Sequence, residues 1–176
     1  VTPPTVSIVA KSGTGKTTLL VKLIAELKSR GYRVGAIKHD AHDFEIDHEG
    51  KDSWRFTRAG ADATLISSRS KLALVRSHAA AGEPSVQDTV ARYLDDMDIV
   101  LTEGFKRSGL PKIEVFREAW SDALLCGGSP PDPTLVAVVT DANLQLDVPR
   151  FGLEETSALC DFLVQTFLTD PSAQPR

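Results

Sequence analysis

The chain has little of what marks a secreted, membrane-bound or nucleic-acid-binding protein. Its 176 residues include only two cysteines, Cys126 and Cys160. They lie far apart and in no paired spacing, so neither a disulfide framework nor a cysteine metal site is predicted, and both read as reduced packing residues. No apolar run approaches the ~20 residues of a membrane span, and VTPPT at the start lacks the charged and apolar regions of a signal peptide. The net charge of −4 and the absence of a Lys/Arg block argue against a nucleic-acid backbone or an anionic membrane surface as partner. The expectation is a cytoplasmic protein with no membrane and no nucleic-acid contact. With no repeat and no internal linker, the length fits one domain over residues 1–176, with loose termini at 1–5 and 169–176.

What the chain does have is AKSGTGKTT, residues 10–18, between an apolar strand and a helix. Ala10, Gly15, Lys16 and Thr17 fall on the fixed positions of G-x-x-x-x-G-K-[ST], with alanine in place of the first glycine. Gly13 and Gly15 let the backbone turn successive N–H groups into one concavity, from Ser12 through Thr14, and the following helix adds the positive end of its dipole. Lys16 is placed to reach β- and γ-phosphate oxygens, and the Thr17 hydroxyl to ligate Mg²⁺. Thr18 either supports the first helical turn or touches the α-phosphate. The context is the required one: VSIVA precedes, and residues 17–30 carry Leu20, Leu23, Ile24 and Leu27 at helical spacing before Gly31. Ala10 is compatible with the loop unless its φ is positive.

RVGAIKH, residues 33–39, completes a right-handed β-α-β unit, so the phosphate loop and the carboxyl ends of parallel strands share one sheet edge. After it, residues 38–51 (KHDAHDFEIDHEGK) are dense in His39, His42, His48, Asp40, Asp43 and Asp47. Their spacing matches no zinc signature; a Mg²⁺-side role for Asp40 or Asp47, a γ-phosphate sensor in Asp47-His48-Glu49-Gly50, or a solvated loop are the readings open. A short helix through Arg58, a β-hairpin from ATLISS and KLALVRS, and a helix with an inward stripe of Val86, Val90, Tyr93, Leu94 and Met97 follow. In DIVLTEGFK, Glu103 emerges at the end of a buried strand, where an acid can receive a Mg²⁺-bound water or orient the attacking one; a solvated strand end is the alternative. KIEVFRE, residues 112–118, alternates as another strand, CGGSPPDP is a surface loop, and TLVAVVTD is a last buried strand ending in Asp141. That carboxylate can accept two hydrogen bonds from guanine, or simply begin a turn, and Asn143 is a second base-contact candidate. A helix over residues 153–168 closes the fold.

The predicted fold is therefore α/β: a P-loop NTPase-like three-layer fold with a predominantly parallel sheet and an antiparallel hairpin. AKSGTGKTTLL, KHDAHDFEIDHEGKDSWRFTRAGA, LTEGFK with PKIEVFR, and the terminal-strand TD resemble, in that order, the molybdopterin-guanine dinucleotide biosynthesis protein B (MobB) family over most of residues 6–167. The resemblance implies a homodimeric, weakly hydrolysing protein with GTP and Mg²⁺ as cofactors. Its implied partners are the molybdopterin cofactor and the guanylyltransferase that attaches GMP to it. By position it assigns Ser12, Gly13, Thr14, Gly15, Lys16, Thr17 and Thr18 to the phosphates. It makes Glu103 the acid of the second nucleotide motif and brings Asp141 to the base; together with the residue readings above, Thr17, Asp40 and Glu103 are the metal candidates and Lys16 and Glu103 the catalytic ones. Two departures stand out: Ala10, and Lys11, which resembles the first lysine of partitioning-type dimeric ATPases, where it crosses to the partner's phosphate. A partitioning-type ATPase switch and a small-molecule kinase are the competing readings; adenine preference would mark the first, an acceptor site and an Arg-rich lid the second.

Overall fold

The computed structural model describes residues 2–39, 44–78 and 82–168. The chain divides into two compact units, Val1–His39 with Val90–Arg176, and Asp40–Thr89. In the larger unit six strands form one sheet in the order β2-β5-β1-β6-β7-β8: β1 (Thr5–Val9), β2 (Val34–Lys38), β5 (Ile99–Glu103), β6 (Lys112–Phe116), β7 (Leu135–Thr140) and β8 (Arg150–Phe151). Every pairing in it is parallel. Such a sheet is buried on both faces, which is why β1, β5 and β7 read as near-continuous apolar runs. The last strand, β8, has only two residues and carries no sequence signal of its own.

One face is covered by α1 (Lys16–Ser29) and α4 (Thr156–Leu163), the latter continuing as a π-helical turn, Val164–Leu168. Leu19, Leu20, Leu23 and Leu27 of α1 and Leu159 and Leu163 of α4 pack on Val6, Ile8, Ile113, Val115 and Val139. Burying each such side chain stabilises the fold by roughly 1.5–3 kcal/mol. On the opposite face Phe116 and Val138 lie beneath loop residues including Leu124, Leu144 and Val148. Leu94 and Met97 approach Gly35 so closely that a Cβ there would sit 3.1–3.2 Å from them, so a larger residue in β2 would have to push these side chains aside.

Several expectations change. The lead-in at residues 1–5 is not loose throughout: Pro3 is buried, Pro4 accepts a hydrogen bond from Val100 N–H, and Thr5 belongs to β1. The terminal residues 169–176 lie outside the described residues. The final helix starts at Thr156 rather than 153, because Gly152 N–H is held by the Glu155 carboxylate in a turn. Tyr93 is exposed, so the inward stripe of α3 (Val86–Tyr93) consists of Val86 and Val90.

KIEVF alternates as expected, but its polar face does not meet water. Lys112 and Glu114 are each 2% exposed, covered by the segment that follows β6. Lys112 Nζ donates to Ser108 O at 2.7 Å and Thr134 Oγ1 at 2.5 Å, and pairs with Asp132 at 3.0 Å. Glu114 accepts the backbone N–H groups of Leu125 (2.6 Å) and Cys126 (2.9 Å).

In the smaller unit α2 (Asp52–Arg58) precedes an antiparallel hairpin of β3 (Ala63–Ser67) and β4 (Leu72–Arg76). Its turn is closed by Ser68 N–H to Lys71 O at 2.8 Å. Thr57 and Thr64 hydroxyls meet at 3.1 Å, tying α2 to the ribbon, and the Arg58 guanidinium lies over the Trp54 ring.

Candidate functional site

The site grows from the carboxyl end of β1, which the sheet order places between β5 and β6. Gly13 and Gly15 have φ of 81° and 101°, the left-handed region that the loop needs and that side chains resist. Ala10 has no positive φ and is fully buried, so the alanine satisfies the backbone at the first motif position. Thr14 is buried, and its hydroxyl closes the loop by donating to Lys11 O at 2.8 Å, leaving its backbone N–H as the group available to a ligand.

Gly15 caps α1 without a side-chain hydrogen bond, and the first turn holds no acid. The helix therefore presents its first N–H groups and positive dipole end uncompensated, an arrangement suited to an anion. Lys16 Nζ makes a long 3.4 Å hydrogen bond to Lys11 O, which a phosphate oxygen would readily displace.

β5 brings Glu103 beside this turn: it pairs in register with Ile8, and Thr17 Oγ1 donates to Glu103 Oε2 at 2.9 Å. Two residues separated by 86 positions thus meet at the head of α1. A hydroxyl and a carboxylate are hard oxygen donors of the kind Mg²⁺ takes alongside phosphate and water, so the pair fits that ion. Among the described residues no cluster of three or more His, Cys, Asp or Glu offers an all-protein metal cage.

The backbone after Glu103 is under constraint. Gly104 and Phe105 both have positive φ, 104° and 53°, and Phe105 is the sole non-glycine residue of that kind among the described residues. The Gly104 carbonyl accepts from the Ser7 hydroxyl, its N–H donates to Ile8 O, and the Phe105 ring packs against His39 at 4.6 Å. These contacts hold a costly turn and fix the direction in which Glu103 leaves the sheet.

The β6–β7 side supplies groups that the motifs did not reveal. After β6 a single 3₁₀ turn, Glu118–Trp120, places the Trp120 ring over the loop, where a Cβ on Gly13 would stand 3.1 Å from it. Lys11 Nζ donates to Ser121 Oγ in the same segment, so this lysine is engaged within its own chain. Asp141 Oδ1 accepts Glu118 N–H at 3.1 Å and so anchors that turn. Asn143 receives a hydrogen bond from Arg150 at 2.8 Å.

Beside the loop lies a cavity of about 260 Å³. Gly13, Gly15 and Thr18 form one wall and Val115, Val139 and Leu153 another, with Arg117, Lys22 and Glu154 also lining it. Arg117, the first residue after β6, could have been found by the strand-end argument that picked Glu103. Lys22 and Glu154 pair at 2.6 Å across 132 positions, and nothing in the sequence announces that contact.

Asp40, His42 and Asp43 lie outside the described residues. In the smaller unit Asp47 Oδ1 accepts His48 N–H at 2.8 Å, and Gly50 has φ 86°. Lys106 and Arg107 are exposed. Cys126 and Cys160 are buried free thiols, and burial pushes them up to about 12 and about 11, so they remain protonated and chemically quiet.

Residues 5–141 match the family described as molybdopterin guanine dinucleotide synthesis protein B, MobB. The chain is 38% identical over 167 residues to the molybdopterin-guanine dinucleotide biosynthesis adapter protein of Escherichia coli (strain K12), covering 92% of each. It is 35% identical over 162 residues to the adapter protein of the same description from Haemophilus influenzae, covering 91% of this chain and 87% of that one. A crystal structure of molybdopterin-guanine biosynthesis protein B superposes with a TM-score of 0.73 at 29% identity, over 92% of this chain and 98% of that one. The fold is P-loop NTPase-like, and the chain belongs to the MobB family.

Proposed function

We propose that this protein binds Mg²⁺-GTP at the Gly13–Thr18 turn and serves as an adapter in molybdopterin-guanine dinucleotide biosynthesis, assisting the guanylyltransferase that joins GMP to molybdopterin. The observation that carries the nucleotide part is the meeting of Thr17 and Glu103 at 2.9 Å beside an uncapped helix terminus and Lys16. The loop amides and Lys16 would neutralise the phosphates, and Thr17 and Glu103 would hold Mg²⁺, which when bound shields the charge of the β- and γ-phosphate oxygens. Glu103 also stands where it can orient a water toward the terminal phosphate. No arginine finger is identifiable from the sequence motifs, so hydrolysis is expected to be slow, in keeping with a protein that presents or senses GTP rather than one built for turnover. Homodimerisation belongs to the same reading, by family likeness.

A pull-down of the purified guanylyltransferase with this protein, with GTP, with ATP and without nucleotide, tests the reading. Retention that rises with GTP supports it. Equal retention under all three conditions would leave GTP with no part in the adapter role, and ATP outperforming GTP would favour the partitioning-type alternative.

A further inference from the structure

The strand beyond Glu103 carries a cation that no motif picks out. β2 and β5 run parallel with Lys38 in register with Glu103, and residues so paired turn their side chains to the same face of the sheet. The core says which face that is. Val34 of β2 packs against the cluster that holds Ile99 and Leu101 of β5 and the buried leucines of α1, whereas Gly35 faces Leu94, Met97 and Val100 on the other side. Strand alternation then puts Ala36 and Lys38 on the α1 face with Val34. Lys38 is exposed at the carboxyl edge of the sheet, one strand spacing of about 4.8 Å beyond Glu103.

The two sides of the phosphate loop differ in what they can meet. Thr17 and Glu103 meet at 2.9 Å on the β5 side, and Mg²⁺ held there would bridge β- and γ-phosphate oxygens. Thr18, with Val115 and Val139, lines the cavity on the β6–β7 side. The terminal phosphate therefore belongs on the β5 side, toward β2. Lys16 and the loop amides suffice for the oxygens of a diphosphate, but a third phosphate brings further negative charge to this edge. A compact ammonium on a flexible four-carbon stem suits that charge.

We propose that Lys38 is the residue by which this site distinguishes a nucleoside triphosphate from a diphosphate, donating from Nζ to an oxygen of the terminal phosphate beside Thr17 and Glu103. The proposal rests on the nucleotide reading above and adds to it a cation from β2, outside the loop.

Titration calorimetry with Mg²⁺-GTP and with Mg²⁺-GDP is run on the parent protein, Lys38→Met and Lys38→Arg, with circular dichroism melts to check that each is folded. The parent is expected to bind Mg²⁺-GTP more tightly than Mg²⁺-GDP. Lys38→Met, which keeps the length of the side chain and removes its charge, should lose about tenfold in GTP affinity, the worth of one charge-assisted hydrogen bond, and bind GDP like the parent. Lys38→Arg, which keeps the charge, should retain most of the preference. Equal weakening toward both nucleotides in Lys38→Met would make Lys38 a support of Glu103, and unchanged affinities would make it a solvated strand end. Each overturns the proposal alone, as does a parent that binds the two nucleotides equally. A parent that binds neither would overturn the nucleotide reading as well.

Discussion

Glu103 and Glu114 occupy comparable places and do different things. Each lies on a strand flanking β1, Glu103 in register with Ile8 and Glu114 with Val9. Glu114 is buried, and both its oxygens accept backbone N–H groups, from Leu125 and Cys126. Glu103 is part-exposed and accepts a hydrogen bond from the Thr17 hydroxyl, which can rotate away. A carboxylate whose lone pairs are saturated by backbone holds a loop in place; one with capacity left over, at an uncapped helix end, is available to a ligand. The same contrast separates Lys112, enclosed by Ser108, Thr134 and Asp132, from Lys16, held by one long contact.

The largest effect that would break this comparison comes from Glu114→Ala. Removing a buried carboxylate orphans two N–H groups, so urea unfolding should show a loss of about 3–4 kcal/mol. A loss below about 1 kcal/mol would mean the pair of bonds holds little. The same variant should expose Cys126, which the fold keeps protonated, to thiol reagents faster than Cys160.

A smaller effect is expected in acid. Hydrogen bonds from the Thr134 hydroxyl and N–H, then Lys112, hold Asp132 at about 2, below the ordinary 3.8. A carboxylate depressed in the folded state stabilises it above the unfolded value, and that contribution fades as pH falls from about 4 to about 2. It amounts to roughly 2 kcal/mol. Unfolding curves taken from pH 6 to pH 2 should therefore fall more steeply for the parent than for Asp132→Asn; parallel curves would count against the account.

Glu103→Gln should leave stability within about 0.5 kcal/mol of the parent, as expected for a change away from a saturated network. Its signature is chemical: the gain in GTP affinity on adding Mg²⁺ should shrink by about tenfold, near the value of one charge-assisted contact. An unchanged Mg²⁺ response, or a large stability loss, would make Glu103 the equivalent of Glu114.

These two carboxylates also mark where sequence reading succeeds and stops. The parallel sheet, the hairpin, the glycine turn before α1 and the place of Glu103 at the end of β5 were legible because each depends on local pattern: β-branched runs, Gly13 and Gly15, a helix starting at Lys16. The burial of Glu114 and Lys112 was not legible in the alternation of their strand, because their partners, Leu125, Cys126 and Asp132, come from a loop with no periodicity. Trp120 and the Lys22–Glu154 pair were hidden for the same reason: tertiary closure brings them to the loop. The two-residue β8 lacks the length for a pattern, and the strain at Phe105 shows only in the backbone angle.

The central claim is that the turn around Lys16 exists to hold a magnesium-bound triphosphate. Calorimetric titration of Mg²⁺-GTP into the folded parent and into Lys16→Ala tests it most directly. Saturable binding by the parent, weakened at least about hundredfold in the variant by loss of a charged contact at the phosphates, is the predicted result. Heat indistinguishable from dilution in the parent, or equal affinities in the two proteins, would contradict it.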